Sequence, residues 1–303
     1  MSVDRLVLVL GREGQVATAL AGAPWPAGVE LLRAGRRMLD IRDRRAVWQT
    51  LAAVRPFLVV NAAAYTAVDA AELDPGAAFA VNRDGAGHVA EACRAVRARL
   101  IHLSTDYVFD GREERAYLEG DPVNPLSAYG ASKAAGESRV RERHERHAIL
   151  RTSWVFGPHG RNFVKTMLRL GSEQDEIAVV ADQRGCPTGA RAIAEAVVAL
   201  ARRWFEDDGP YGTFHYCGAD AVSWHGFAVE IFREAARLGA RTPSRLHPIA
   251  SEELRLAAPR PRNSVLACGA IESAFGLPQR SWRPDLALCL DYVLGTTGWE
   301  RAP

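Results

Sequence analysis

Five short apolar runs recur along the first half of this 303-residue chain, and each alternates with a segment of helical periodicity. That alternation leaves few folds open. An apolar run too short for a helix and without polar alternation reads as a parallel strand buried on both faces. Strand–helix–strand units then pack as one sheet covered by helices on both sides. The strands are expected at Leu6 to Leu10, Val29 to Leu32, Phe57 to Asn61, Arg99 to Ser104 and Ala148 to Thr152. Helices are expected over 14–21, Asp43 to Val54, 75–97 and Tyr129 to Glu145. Pro75 suits a first helical turn, and Asp43 suits an acidic helix start.

The second half alternates less regularly. Helices are expected at Arg161–Leu170, Ala190–Trp204, Ser223–Leu238 and Pro284–Leu294, with strands at Ile177–Val180 and Thr213–Tyr216. Arg241 to Arg262, rich in Pro, Arg and Ala, reads as a surface loop. The expected fold is α/β: a Rossmann-like doubly wound parallel sheet with a smaller C-terminal α/β substrate domain. Residues 1–155 would form the first domain, with later segments returning to it, and 156–303 would be mainly the second.

Bulk properties narrow the function. A net charge of +2 is too mild to call for nucleic acid or an anionic membrane. No apolar run reaches transmembrane length, and Met1-Ser2-Val3-Asp4-Arg5 shows no secretory pattern. Five cysteines without Cys-x-x-Cys spacing suit reduced thiols, so the chain is expected to be cytoplasmic.

Two motifs carry chemistry. The first strand ends in Gly11-Arg12-Glu13-Gly14-Gln15-Val16-Ala17. Gly11 permits a tight turn, Gly14 a close backbone approach, and Ala17 close packing of helix on strand, so a dinucleotide pyrophosphate fits here. An ordinary glycine loop is the plain alternative. After the second strand stands Arg36-Arg37, where an acid would select NAD. Arg36 or Arg37 there would pair with a 2′-phosphate, so NADPH is expected, with NADH as the alternative; arginines that merely face water are the plain alternative. Asp40 and Ile41 would line the adenine pocket. Ala62, Ala63 and Ala64 end the third strand and would let a flat ligand approach.

The second motif is Tyr129-Gly130-Ala131-Ser132-Lys133. The chain holds 36 arginines and 2 lysines. Chance would place a lysine four residues after a tyrosine only ~0.05 times at this composition. On a helix the two side chains share a face. Lys133 as an ammonium would lower the phenol of Tyr129 from its usual ~10 and so ease proton traffic at neutral pH. Thr105, closing the fourth strand, can offer a hydroxyl to the same substrate oxygen. Lys133 could also hold a nicotinamide ribose. A helix with an incidental Tyr/Lys pair is the bland alternative.

Together these segments resemble the extended short-chain dehydrogenase/reductases, and within them the dTDP-4-dehydrorhamnose reductase family. The likeness rests on Gly11 to Gln15, Asn61 to Asp69, Ser104 to Gly111, Asn124 to Glu137, Arg151 to Gly157, Asn162-Phe163 and Asp182 to Thr188, and so spans nearly the whole chain. It implies Thr105, Tyr129 and Lys133 as catalytic residues. It also implies substrate or cofactor contacts at Tyr65, Thr66, Val68, Asp69, Asp106, Tyr107 and Trp154. The implied reaction is NADPH-dependent reduction of the C4 ketone of dTDP-6-deoxy-L-lyxo-4-hexulose. A ketoreductase for another dTDP-ketosugar is the related alternative. A regulatory subunit like that of methionine adenosyltransferase is the non-catalytic one. Sugar-nucleotide dehydratases carry Asp-Glu after the threonine, and Asp106-Tyr107 here lacks that base. Magnesium binding in some family members has no ligand set that can be placed here, and a homodimer remains an option.

Other residues stay two-sided. Trp154 would stack on a sugar or base, or fill the core. Asp182-Gln183 would bond substrate, or cap the helix near Ala190. Lys165 would face solvent or a phosphate. His144 and His147 share a helix face but make a poor metal site.

Overall fold

The structure is a computed structural model and describes residues 5–254 and 256–295. Residues 1–4, read above for a secretory pattern, and 296–303 of the expected second domain lie outside the described residues.

β1 (Leu6–Leu10) enters α1 (Gln15–Ala21) through the expected turn. Gly11 has φ +95°, and a β-carbon there would stand 2.7 Å from the Ala63 nitrogen. Only glycine permits both the angle and the approach. β2 (Glu30–Ala34), α2 (Arg44–Val54), β3 (Leu58–Asn61) and α3 (Val68–Leu73) follow. Asp43 caps α2 by accepting the Ala46 amide. The helix expected over 75–97 is α4 (Pro75–Phe79) and α5 (Ala86–Val96), joined by a π turn at Ala80–Gly85. Then come β4 (Arg99–Thr105), α6 (Ala128–Arg143) and β5 (His147–Thr152).

Beyond β5 lie β6 (Val155–Phe156), α7 (Phe163–Glu173), β7 (Glu176–Val180), β8 (Arg184–Gly185) and β9 (Thr188–Gly189). They are followed by α8 (Ala190–Glu206), β10 (Gly212–His215), β11 (Val222–Ser223), α9 (Trp224–Arg237), β12 (Arg245–Ile249), α10 (Gly269–Phe275) and α11 (Arg283–Leu294).

The main sheet has the order β10-β5-β4-β3-β1-β2, and every neighbouring pair is parallel. β10 comes from the second half of the chain and extends the sheet beside β5. On one face α1 and α8 bury Leu20, Ile193, Val197 and Trp204 against Val7, Val9 and Leu150. On the other, α2, α5 and α6 bury Val47, Leu51, Val89 and Val140 against Leu8, Val59 and Ile149. A smaller lobe packs α7, α9 and α11 around Phe156, Phe227, Ile231 and Trp282. The chain leaves β1 to one side for β2 and returns to the other for β3. The crevice at this reversal, at the carboxyl ends of the strands, is where such sheets take ligands.

One expectation fails in the smaller lobe. The 241–262 stretch is not all loop, because it contains β12, which pairs parallel with β7, and a short 3-10 turn at Ser251–Glu253. Pro248 and the charged flanks disguise the strand. β12 lies at the edge of a two-stranded sheet, where one missing amide donor costs little. Among the described residues no helix is long and apolar enough to cross a membrane.

Candidate active site

A cleft of about 600 Å³ opens where β1, β3, β4 and β5 end, facing the smaller lobe. The glycine turn contributes Gly14, Gln15 and Val16 to its wall. Ala62 and Ala64 line it after β3, followed by Thr66 and Val68. Thr105, Asp106 and Tyr107 enter from the end of β4, Tyr129 and Lys133 from α6, and Trp154 from the turn after β5.

The placement of α6 follows from its first turns. Ser127 caps it by accepting the Gly130 amide at 3.1 Å, and the Glu72 carboxylate accepts the Ala128 amide at 2.7 Å. These bonds satisfy amides that a helix start leaves without partners. Gly130 lets the helix touch the end of β4, since a β-carbon there would meet the Tyr107 carbonyl oxygen at 2.2 Å. The π turn points Asn82 inward, so that its amide donates to Ser132 at 2.9 Å and brackets the backbone of Tyr65. One turn beyond Lys133, Glu137 is fully buried. It accepts from Arg151 at 2.9 and 2.7 Å and from Ser104 at 2.6 Å. That buried pair fastens α6 to β4 and β5.

At the centre, the Thr105 hydroxyl donates to Asp106 at 3.0 Å and accepts the Tyr107 amide at 3.2 Å. The rings of Tyr107 and Tyr129 meet edge to face, 6.0 Å apart. The expected effect of Lys133 on the phenol is not what the geometry supports. Burial pushes the Tyr129 phenol up to about 12, with its hydrogen bond to Thr105 pulling the other way. Burial also pushes Lys133 down to about 8, with Glu137 opposing. The Lys133 ammonium donates to the Leu103 carbonyl at 2.6 Å. Desolvation therefore outweighs the opposite charge, and at neutral pH Tyr129 holds its proton. Burial likewise pushes the Asp106 carboxyl up to about 7.

The smaller lobe supplies an aromatic wall. Trp154 is both buried and in the cleft, and its indole stacks on Trp224 with centroids 3.4 Å apart and planes 3° from parallel. Its backbone sits at φ +45°, an outlier for so bulky a residue. Trp224, Phe163 and Arg161 also line the cleft. The sequence reading did not single them out as site residues; the Asn-Phe motif at 162–163 was the one available signal. Gln15 reaches across to the lobe, accepting from the Asn162 amide at 2.9 Å.

Other singled-out residues have different surroundings. Asp69 does not line the cleft. It accepts from Arg260 at 2.7 and 3.2 Å and from the Ala258 amide at 3.1 Å, and so pins the late Arg-Pro segment to α3. Asp182 and Gln183 neither line the cleft nor cap α8. Both bond Ser251, and the α8 cap residue is Gly189. Arg36 is exposed at the end of β2, 3.5 Å from Asp40. Asp40 pairs more closely with Arg42, which holds its carboxyl at about 2. Ile41 is buried in the apolar layer of α2 and α5. Lys165 is half-buried and donates to the Pro158 carbonyl. His144 and His147 bond backbone carbonyls. All five cysteines are buried and unpaired.

Comparison with known proteins bears on this geometry. Residues 5–294 match the model of the RmlD substrate binding domain. A dTDP-4-dehydrorhamnose reductase of Sinorhizobium fredii is 44% identical over 276 residues, covering 90% of this chain and 93% of the relative. The chain belongs to the dTDP-4-dehydrorhamnose reductase family. It is therefore an oxidoreductase. A crystal structure of the Bacillus anthracis enzyme of that name, in complex with NADP, superposes with a TM-score of 0.87 at 35% identity, covering 97% of this chain and 100% of the other. A UDP-glucose 4-epimerase from Thermus thermophilus, with NAD, shares the fold at 22% identity and a TM-score of 0.78.

Proposed function

We propose that the chain reduces the C4 ketone of dTDP-6-deoxy-L-lyxo-4-hexulose with NADPH, yielding dTDP-L-rhamnose. The observation that carries this reading is the convergence of Thr105, Tyr129 and Lys133 in one cleft beside the glycine turn. The residues present suit a dinucleotide. Gly11 lets the turn close against the Ala62–Ala63 backbone at the end of β3, and Gly14 caps α1 with no side-chain acceptor on its first amides. Gln15, Val16, Ala62, Ala63 and Ala64 would flank the cofactor, and Arg36 would take a 2′-phosphate. NADPH would supply hydride to the ketone carbon.

The chain's own residues handle the proton. Tyr129, protonated at neutral pH, gives its phenolic hydrogen to the oxygen as charge develops there. Thr105 offers a second hydrogen bond to the same atom. The resulting phenolate is stabilised by the Lys133 ammonium, which lies on the same helix face. Burial opposes phenolate at rest, so the Tyr129 proton leaves only for an oxygen of rising basicity. On the other side, Trp154 and Trp224 with Arg161 suit a base and a diphosphate, and the lobe carrying them would be the substrate side of the molecule.

The test is NADPH oxidation with the purified ketosugar. Wild type should turn over, and Tyr129→Phe should lose about 10²–10⁴-fold in kcat. Absence of wild-type turnover, or undiminished turnover by the variant, would refute the assignment.

A further inference from the structure

The one hydrogen of the Thr105 hydroxyl is already committed. A threonine oxygen has one hydrogen and two acceptor positions. Here the hydrogen goes to Asp106 Oδ1 at 3.0 Å. One acceptor position takes the Tyr107 amide at 3.2 Å. In this arrangement no hydrogen of Thr105 remains for a ketone oxygen. Asp106 is 2% exposed, and its Oδ2 has no hydrogen-bond partner among the described residues. The nearby Ser264 hydroxyl opposes the upward shift of the Asp106 carboxyl, yet its hydrogen bond within reach is a long one, to the Arg184 carbonyl at 3.4 Å. A buried carboxylate with an unfilled oxygen is costly, and taking up a proton relieves the cost.

We propose that Asp106 is a positioning residue whose proton sets the direction of the Thr105 hydroxyl. When Asp106 is ionised, Thr105 donates to it. When Asp106 is protonated, its own O–H donates to Thr105 Oγ1. The Thr105 hydrogen then turns into the cleft, toward the substrate oxygen that Tyr129 protonates. No bond to carbon changes in this step; one proton on Asp106 reverses one hydrogen bond. The other titratable groups facing Asp106 are the phenols of Tyr107 and Tyr129, both of which it pushes up, and the Arg260 guanidinium beside Tyr107. The Lys133 ammonium is turned to the Leu103 carbonyl.

This inference rests on the proposed reaction, with Thr105 and Tyr129 acting at the ketone, and its sign is definite. The active form is the protonated one, so kcat/KM falls as pH rises through about 7. Above that point the fall should approach about tenfold per pH unit. Asp106→Asn removes the titrating group, and its profile should stay level over that range. A limb that persists unchanged in Asp106→Asn would overturn the proposal. A second measurement needs no turnover. Infrared difference spectra of the free protein, wild type against Asp106→Asn, should show a protonated-carboxyl band that vanishes as pH passes about 7. Absence of that band at acid pH would sink the proposal even if Tyr129→Phe confirms the reaction. If the band titrates as expected but wild type reduces no ketosugar, the reaction assignment fails instead.

Discussion

The two sides of the cleft are built by opposite means. The sheet side, from the ends of β4 and β5 to α6, is polar: Glu137, Arg151, Ser104 and Lys133 are all buried and all bonded. The lobe side is aromatic, with Trp154, Trp224, Phe163 and Phe227 in contact along α7 and α9. Charges removed from water must be matched one to one, so the network holds its members in single positions. Stacked rings hold by area and tolerate sliding. The sheet side can therefore fix a proton donor to within a hydrogen bond, while the lobe suits recognition of a large planar ligand.

That contrast can be broken by substitution. The largest stability effect is expected for Glu137→Ala, which strands the buried Arg151 guanidinium. Unfolding free energy should drop by about 3–5 kcal/mol, read as a lower denaturant midpoint at unchanged slope. A drop under about 1 kcal/mol would mean that water enters the network and the sheet side is not the rigid one. Trp224→Ala should instead act on recognition. KM for the ketosugar should rise by about tenfold with kcat held within about threefold. A loss confined to kcat would mean that the aromatic wall serves the chemistry. The smallest effect belongs to the half-exposed Asp69–Arg260 pair. Asp69→Asn should cost less than about 1 kcal/mol, and a larger value would make this clasp a third structural element of the site.

Much of the site was legible because it is local in sequence. Thr105 ends an apolar run, and Tyr129 and Lys133 lie one helical turn apart, so each could be placed without knowing any distant neighbour. Residues defined by partners far along the chain escaped. Trp224 faces Trp154 across 70 positions of sequence. Asp69 was taken by Arg260, and β12 needed β7 to become a strand. The direction of the Tyr129 shift was misjudged for a related reason. A motif shows which charge is near but not how much water has been excluded, and here the exclusion dominates.

The sequence by itself determined the parallel sheet, the glycine turn and the Thr/Tyr/Lys set, because apolar periodicity and i, i+4 spacing are properties of neighbouring residues. The tertiary structure alone decided which groups lost their water and which partners met them. Desolvation depends on everything packed around a group. On that rest the proton held by Tyr129, the unfilled oxygen of Asp106 and the buried Glu137–Arg151 pair.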